Sequence, residues 1–313
     1  MPAPFQPDQL RSLLRPLAAA RLELPVLQAY RRFYGLDLTQ RFAGLDNRLG
    51  SFTAAGYQIA VQLWAPPQPR GSLLLLHGYY DHMGLYRHVV DWALSMNFAV
   101  LACDLPGHGL SSGVRASIDD FSEYQQVLAG LFDQAAALGL PQPWHLCGQS
   151  TGGAILLDYL LHDGKRPELG QSILLAPLVR PRAWGWSKLS YRLLRPFVRE
   201  IPRRFSENSS DAGFIEFVHK LDPLQPRTLP TAWVGALAQW VPRIEAAAPS
   251  AHSPLIVQGE ADMTVDWQHN LAVLQDKFRL PQILRLGEAR HHLANENEAL
   301  RRRYFEFLRQ YLE

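Results

Sequence analysis

Residues 144–161 of the chain, WHLCGQSTGGAILLDYLL, decide the predicted fold. Trp144–Cys147 has the apolar character of a short buried strand, and Ala154–Leu161 has the length and composition of a helix. The intervening residues 148–152, GQSTG, match the pattern G-x-S-x-G, which belongs to a sharp turn between a strand and a helix. Glycines on both sides of Ser150 remove Cβ atoms that would clash in such a turn. The sequence therefore predicts that Ser150 is a nucleophile at a strand end; the alternative is a glycine-rich turn with a capping serine.

The same alternation of strands and helices continues on both sides of this motif. Strands are predicted at residues 57–64, 72–76, 98–103, 143–147, 172–176, 254–258 and 281–286, and helices at 85–96, 120–137, 151–162, 267–278 and 296–312. Short apolar runs that alternate with helices are typical of a mostly parallel sheet covered by helices on both faces. The predicted fold class is therefore α/β.

Two regions interrupt the alternation and suggest how the 313 residues are divided. Residues 1–45 are predicted to form an N-terminal helical extension, because apolar residues recur at helical spacing over residues 8–34. Residues 181–248 are rich in Trp, Arg and Pro, and we expect an inserted helical cap there, since a structureless loop of that length is improbable. The α/β core would then comprise residues 46–180 and 249–313.

Composition limits the class of protein. Apolar residues make up 47% of the chain and charged residues 19%, which favours a globular protein with a large core. The net charge of +2 gives no reason to expect nucleic acid as a partner. Cys103 and Cys147 are the two cysteines, so no disulfide framework is expected. No apolar run is long enough to span a membrane and no signal-type leader is visible, so we expect a cytoplasmic location.

A serine needs a general base to act as a nucleophile at neutral pH, and the base needs an orienting acid. In folds with this motif, the chain order is serine, acid, histidine. Asp262 follows the predicted strand 254–258, and His291 follows the predicted strand 281–286. Because both strands end at one edge of a parallel sheet, we expect both side chains to lie beside Ser150.

Each of these two assignments has rivals close by in the sequence. Asp266 is expected to cap the helix that follows, and Glu260 lies closer to the strand than Asp262 does. His292 adjoins His291, and the motif position favours His291. We therefore predict Asp262 as the orienting acid and His291 as the base, and the other three residues remain alternatives.

An enzyme that attacks a carbonyl group with a serine also needs hydrogen-bond donors for the oxyanion that forms. Residues 72–76 form a predicted strand that ends at His77-Gly78. The backbone amide that follows this dipeptide, that of Tyr79, is expected to pair with the amide that follows the nucleophile, that of Thr151. The alternative for this dipeptide is an ordinary turn after a strand.

Five segments together resemble one known family. They are HGYYDHMGLYRHV from residue 77, DLPGHGLSSG from residue 104, GQSTGG from residue 148, GEADMTV from residue 259 and EARHHLANE from residue 288, and LDPL at 221–224 fits as well. The chain from about residue 50 to its end resembles the monoglyceride lipase and lysophospholipase branch (serine aminopeptidase type) of the α/β-hydrolases. Residues 1–45 lie outside the resemblance.

The resemblance implies an α/β-hydrolase fold with an eight-stranded sheet and a cap between its sixth and seventh strands. Ser150, Asp262 and His291 fall on the family's triad positions, and the amides of Tyr79 and Thr151 fall on its oxyanion positions. It implies no cofactor and no metal.

Two further implications concern side chains around this centre. The residue after His-Gly is often small in the family and the one after the nucleophile is usually hydrophobic, whereas here they are Tyr79 and Thr151. Backbone donors survive both changes, but the shape of the pocket does not follow from the family. The family's strand order also places one strand between those that carry Cys103 and Cys147, too far apart for a disulfide.

The cap sequence suggests what the substrate is. Residues 182–204 combine apolar with basic side chains, and positions 186, 189, 193 and 197 share one helix face. We favour a lid helix whose apolar face covers the active site while its arginines are solvated. The alternative is a lid that meets a lipid or micelle surface with arginines at the headgroups. Trp184 and Trp186, together with Tyr80, are the candidate substrate-binding residues.

The predicted function is a serine carboxylic-ester hydrolase that works through an acyl-enzyme on acyl lipids such as monoacylglycerol or lysophospholipid. The alternatives are a thioesterase or a proline-iminopeptidase-like hydrolase with the same triad, or a non-catalytic binding protein of the same fold. The expected partner is a small acyl ester or lipid, with contact to a membrane or micelle surface through the cap as an alternative, and not nucleic acid.

Overall fold

One eight-stranded sheet forms the centre of the computed structural model, which describes residues 5–20, 24–162 and 164–313. The strands are β1 (Asp46–Ala54), β2 (Tyr57–Ala65), β3 (Gly71–Leu76), β4 (Phe98–Cys103), β5 (Trp144–Gln149), β6 (Leu169–Leu175), β7 (Glu200–Pro202), β8 (Thr228–Pro230), β9 (Leu255–Gly259) and β10 (Gln282–Leu286). The main sheet has the order β1-β2-β4-β3-β5-β6-β9-β10. β2 is antiparallel to both of its neighbours, and the other neighbouring pairs are parallel. The predicted α/β class is confirmed.

Helices cover both faces of this sheet. They are α1 (Pro7–Leu13), α2 (Pro25–Phe33), α3 (Arg87–Ser95), α4 (Ser122–Ala137), α5 (Thr151–His162), α6 (Trp184–Leu194), α7 (Ala212–Glu216), α8 (Thr231–Ala246), α9 (Trp267–Lys277) and α10 (Glu298–Arg309). Short 3-10 turns lie at Leu17–Ala19, Met83–Leu85 and Leu293–Asn295, and a π-helical turn lies at Phe217–Leu221. Within the described ranges, no helix has both the length and the apolar character needed to cross a membrane.

The central strand β3 shows how the sequence builds two cores. Successive side chains of a strand point to opposite faces, so an uninterrupted apolar run serves a sheet that is covered on both sides. Leu74 and Leu76 join the core beneath α4, α5 and α8, whereas Leu73 and Leu75 join the core beneath α2, α3 and α10. All six residues of β3 are buried.

The cysteines occupy strands on either side of β3. Cys103 ends β4 and Cys147 lies in β5, and β3 pairs with both strands. Both thiols are buried and free. The expectation that one strand separates the two cysteines is confirmed.

The structure differs from the sequence prediction at the start of the core. β1 was not expected, yet it pairs with β2 along its whole length. Ala55 and Gly56 connect the two strands with positive φ values of 51° and 78°, as a two-residue hairpin requires. Ala55 lacks the polar side chain that usually signals such a turn, so the hairpin is hard to recognise from the sequence.

The predicted extension and cap also contain more than the expected helices. The helical stretch expected over residues 8–34 is two helices, α1 and α2, with the turn Leu17–Ala19 between them. Residues 1–4 and 21–23 of this extension lie outside the described residues. The cap segment, residues 181–248, lies between the sixth and seventh strands of the main sheet and adds the two-stranded sheet β7–β8 to its helices.

Candidate active site

Ser150 stands on the turn from β5 into α5. Its φ is +52°, and its amide donates to Leu175 O at 2.8 Å in the neighbouring strand β6. A Cβ at Gly148 would overlap the backbone of Gly152, and one at Gly152 would overlap the carbonyl of Leu76. Only glycine fits at both positions, so these two residues are what allows the chain to turn this tightly around the serine.

Asp262 lies on the loop after β9, at the same sheet edge. Its Oδ1 accepts hydrogen bonds from the amides of Thr264 at 2.7 Å and Val265 at 3.1 Å. Its Oδ2 accepts from Gln258 Nε2 at 3.2 Å and lies 2.7 Å from Nδ1 of His291. These donors fix the carboxylate in one orientation toward the histidine ring.

His291 lies on the loop after β10 and connects the carboxylate to the serine. Because Asp262 accepts at Nδ1, that nitrogen carries the proton, and Nε2 is left to accept. Nε2 lies 2.9 Å from Ser150 Oγ. The three side chains, from three separate strand ends, thus form one continuous hydrogen-bonded chain.

Burial and charge act in opposite directions on this pair. Burial would raise the pKa of Asp262, but the charge and hydrogen bond of His291 and the two backbone amides outweigh it and lower that pKa below its ordinary value. Burial would lower the pKa of His291, but the charge and hydrogen bond of Asp262 and the charge of Asp81 raise it above its ordinary value. The pair is therefore arranged to stabilise an imidazolium beside a carboxylate.

The rival residues lie elsewhere. Nε2 of His292 is 3.1 Å from Asp81 Oδ2, whereas the ring that contacts Ser150 Oγ is that of His291. Asp266 caps α9 and accepts from the His269 amide at 3.4 Å, as expected for a capping residue. Glu260 forms an ion pair of 3.4 Å with Arg285. The structure brings together Ser150, Asp262 and His291 and none of these alternatives.

The loop after β3 lies beside the turn that carries Ser150. A Cβ on Gly78 would lie 3.4 Å from the Cβ of Ser150, which places the loop directly against the nucleophile. His77 Nε2 accepts from the Leu105 amide at 2.8 Å, so its Nδ1 donates to Gly78 O at 2.7 Å. Among the described residues, neither the amide of Tyr79 nor that of Thr151 has a hydrogen-bond acceptor.

Sequence reasoning missed Gln149, the residue between the first glycine and the serine. Its side chain is buried and donates to His291 O at 2.8 Å. Its Oε1 accepts from the Ala294 amide at 3.4 Å. Gln149 therefore joins the nucleophile strand to the histidine loop. A buried amide side chain inside a catalytic motif could have indicated such a role, because buried polar groups need partners.

Sequence reasoning also missed the buried side chains that support the Gly78 turn. Tyr86 Oη accepts from the Gly78 amide and donates to Asp81 Oδ2, both at 2.9 Å. Burial would raise the pKa of Asp81, but His292, His77 and Tyr86 lower it, so this carboxylate stays ionised beneath the histidine loop. Phe214 of the cap segment packs edge-on against the His292 ring.

An apolar cavity of about 370 Å³ lies beneath α6. The residues that line it are Pro181, Trp184, Trp186, Ser187, Ser190, Tyr191, Leu194, Ile201, Leu229, Thr231, Trp233, Val234 and Leu237. Trp233 also stacks on the ring of Tyr79, with 3.7 Å between centroids, so the cavity adjoins the loop beside the nucleophile. Of the three candidate substrate-binding residues, Trp184 and Trp186 line this cavity, whereas Tyr80 lies outside it, beneath the guanidinium of Arg203.

The expectation that α6 turns its apolar face toward the active site is wrong. Trp186 is 73% exposed and Leu193 65%, and Phe197, which follows the end of the helix, is 85% exposed. The helix instead packs through the stripe that contains Trp184 and Tyr191, and Gly235 of α8 provides the space for the Tyr191 ring. Two stripes of this helix are apolar, and the sequence alone does not show which one packs.

The strained serine on its strand-to-helix turn, hydrogen-bonded to a histidine and through it to an aspartate, places the chain among serine hydrolases of the α/β-hydrolase fold. The Hydrolase_4 family model (serine aminopeptidase, S33) matches residues 67–298, and the chain belongs to this family.

The similar proteins agree with this class. The monoglyceride lipase of Mus musculus is 26% identical over 253 residues, which cover 77% of this chain and 81% of the lipase. The monoacylglycerol lipase of Mycolicibacterium smegmatis is 36% identical over 105 residues, covering 33% of this chain and 38% of the lipase. The crystal structure of the Paleococcus ferrophilus monoacylglycerol lipase has a TM-score of 0.69 at 19% identity and covers 81% of this chain and 99% of that one. This last likeness shows the shared fold.

Proposed function

We propose that Ser150, His291 and Asp262 are the catalytic triad of an ester hydrolase that works through an acyl-enzyme. The observation that carries this proposal is the chain of two hydrogen bonds, 2.9 Å from Ser150 Oγ to His291 Nε2 and 2.7 Å from His291 Nδ1 to Asp262 Oδ2. Distances of this size let a histidine remove the serine proton as the oxygen attacks a carbonyl carbon.

The reaction has two halves in this proposal. His291 takes the proton of Ser150 while Oγ bonds to the ester carbonyl carbon, and the oxyanion that results accepts hydrogen bonds from the amides of Tyr79 and Thr151. His291 then gives the proton to the leaving alcohol, and the acyl group stays on Ser150. A water molecule, deprotonated by the same histidine, releases the acid and restores the serine.

The substrate that we propose is an acyl ester with one long chain, such as a monoacylglycerol or a lysophospholipid. The cavity beneath α6 supports this, because its walls are mainly aromatic and aliphatic and because it adjoins the Tyr79 loop. Similarity to monoglyceride lipases over most of the chain supports the same class. Trp184 and Trp186 would contact the acyl chain.

The family description also raises the possibility of an aminopeptidase. Such an enzyme needs a carboxylate to bind the substrate's amino terminus, and none of the described residues that line the cavity is acidic. The cavity therefore favours acyl chains over peptides. A panel of acyl nitrophenyl esters, acyl thioesters and aminoacyl amides separates the three activities, and aminoacyl amides as the best substrates would contradict the proposal.

We also propose that the exposed face of α6 meets the lipid surface from which the substrate comes. Trp186, Leu193 and Phe197 are large, apolar and solvent-exposed, and exposed apolar patches mark interaction surfaces. Lys188 and Arg192 are exposed on the same helix and could reach lipid headgroups. An acyl chain that leaves the surface here would enter the cavity beneath the same helix.

The central test uses a fluorophosphonate probe, which bonds covalently to an activated serine. The native protein should be labelled and should hydrolyse nitrophenyl esters. Ser150→Ala should lose labelling and reduce kcat by about 10⁵-fold to 10⁶-fold. Ser122→Ala, which changes an exposed serine at the start of α4, is the matched control and should behave as native protein. Labelling that persists in Ser150→Ala would contradict the proposal.

A further inference from the structure

We propose that Asp222 is a positioning residue through which the N-terminal extension and the cap segment together set the position of the loop that carries the Tyr79 amide. The inference rests on the proposed function, since it takes the Tyr79 amide as an oxyanion donor. It assigns a role to α2, which precedes the family match at residues 67–298.

Asp222 is the centre of a buried polar cluster. It is 2% exposed, and its two oxygens receive four contacts. Oδ1 accepts from Tyr34 Oη at 2.7 Å and from the Leu224 amide at 3.0 Å. Oδ2 lies 2.9 Å from Nε2 of His82 and accepts from Gln225 Nε2, also at 2.9 Å. A buried carboxylate with this many directed partners has little freedom to move.

The partners come from three parts of the chain that are far apart in sequence. Tyr34 follows α2, His82 lies on the loop after β3, and Asp222 follows the π-helical turn of the cap segment. Burial opposes the charge on both ionisable groups, but their mutual attraction raises the pKa of His82 and lowers that of Asp222, so each group favours the charged form of the other. Removing one member of such a pair leaves a buried charge unpaired.

The cluster contacts the Tyr79 loop at two residues, His82 and Tyr80. His82 is three residues beyond Tyr79 and binds Asp222 directly. On the other side, Arg203 Nη1 donates to Gln225 Oε1 at 2.7 Å, and its guanidinium lies 4.0 Å from the centroid of the Tyr80 ring. The cap segment therefore touches the loop at Tyr80 and at His82, on the C-terminal side of the Tyr79 amide.

The N-terminal extension adds a third support. The ring of Tyr34 packs edge-on against His82 at 4.9 Å between centroids, and Phe33 contacts Phe217 of the π-helical turn at 5.3 Å. Tyr34 is buried, so its hydroxyl is directed at Asp222 by packing as well as by the hydrogen bond. The extension thus contacts the cap segment and the loop at the same point.

The test compares two tyrosines of one region. Tyr34→Phe removes the hydroxyl that donates to Asp222, whereas Tyr30→Phe removes a buried hydroxyl that has no hydrogen-bond partner among the described residues. We expect Tyr34→Phe to lower kcat on a short soluble nitrophenyl ester by about threefold to tenfold, a part of the loss that follows removal of an oxyanion donor. KM should stay within about twofold, because the substrate pocket is unchanged. Tyr30→Phe should keep both constants.

A second variant keeps the test decisive if one protein is poorly stable. Asp222→Asn preserves the shape of the side chain but removes its charge, and we expect a larger loss of kcat, about tenfold to 100-fold, with the rate normalised to folded protein. Unchanged kcat in both variants, with only a lowered melting temperature, would show that the cluster serves stability alone and would overturn the inference. That result would leave the proposed function intact as long as Ser150→Ala remains inactive.

Discussion

Two parts of the cap segment, Trp184–Pro202 and Phe205–Gln225, are held in different ways. The part from Phe205 to Gln225 is held by directed polar contacts: Ser209 Oγ donates to Asn295 O at 2.6 Å in a buried contact, and the Ser210 amide donates to Glu296 Oε2 at 2.8 Å. The part from Trp184 to Pro202 presents large apolar side chains to solvent, and it is held by one stripe of α6 and by the pairing of β7 with β8. The part from Phe205 to Gln225 is therefore hydrogen-bonded to the chain just after His291, whereas the part from Trp184 to Pro202 faces solvent.

The two kinds of contact suit different tasks. Directed polar contacts in a buried site specify one geometry, which suits loops that must hold a base and an oxyanion donor in place. Exposed apolar surface specifies no geometry, but it is favourable to bury against a lipid phase. We therefore expect changes near the triad to alter the chemical step, and changes on α6 to alter delivery of substrate from a surface.

After Ser150→Ala, the largest effect is expected from Asp262→Asn. The substitution removes the charge that orients and stabilises the protonated histidine, so kcat should fall by about 10³-fold to 10⁴-fold. Native activity should rise with pH as His291 loses its proton, with a midpoint above the ordinary value of 6.5, because Asp262 raises the pKa of His291. Without the carboxylate, that midpoint should move to lower pH.

The control for this variant is Asp266→Asn, which keeps a good helix cap and leaves the triad alone. Asp262→Asn should lose the same factor on a soluble ester and on vesicles, because it alters the chemical step and not the delivery of substrate. A loss confined to vesicles would show that the separation of chemistry from delivery is wrong.

An intermediate effect is expected when the exposed face of α6 is made polar. Leu193→Ser combined with Phe197→Ser should raise the vesicle concentration for half-maximal rate by about tenfold or more, since less apolar surface can be buried. kcat on a short soluble ester should not change, and neither should the melting temperature, because both side chains are mostly in solvent.

Leu280→Ser is the matched control, since Leu280 is 65% exposed at a distance in sequence from the cap segment. If the control variant loses as much vesicle activity as the pair on α6, the surface has no special role. Reduced activity on the soluble ester in the paired variant would contradict the view that this surface affects only the delivery of substrate.

The smallest effect is expected from the basic residues of the part from Trp184 to Pro202. Arg192→Gln combined with Arg199→Gln should weaken activity on anionic vesicles by about threefold to fivefold and leave activity on zwitterionic vesicles unchanged. Added salt should erase the difference, because exposed charges are screened. Arg302→Gln, on α10, is the control, and an equal loss there would indicate a general charge effect.

Much of the site could be predicted because it depends on local signals. The bounds of β4 and α5 agree with the expected ranges 98–103 and 151–162. The tight turn from β5 into α5 needs glycines at fixed offsets from Ser150, and the predicted acid and base each follow a recognisable strand. The structure brings these three predicted residues together, while their catalytic roles stay a prediction until tested.

The remainder depends on contacts that no local pattern contains. Tyr34 and Asp222 are separated by 188 positions, and His82 and Asp222 by 140, so their cluster exists only once the fold is formed. The outward face of α6 was missed for a related reason. The sequence of a helix with two apolar stripes does not show which stripe is buried. In α6, contact with α8 determines it.

The placement of the two cysteines has a practical consequence. Cys103 and Cys147 sit in the middle of the sheet, and burial raises the pKa of the Cys147 thiol to about 12. A thiolate is the reactive form, so alkylating reagents should find no target while the sheet is closed. The two thiols belong to the cores on opposite faces of the sheet, so exposure of both requires that the whole sheet opens. The rate of alkylation, followed by mass spectrometry, therefore reports the rate at which the sheet opens. It can be compared between variants of this enzyme without reference to their activity.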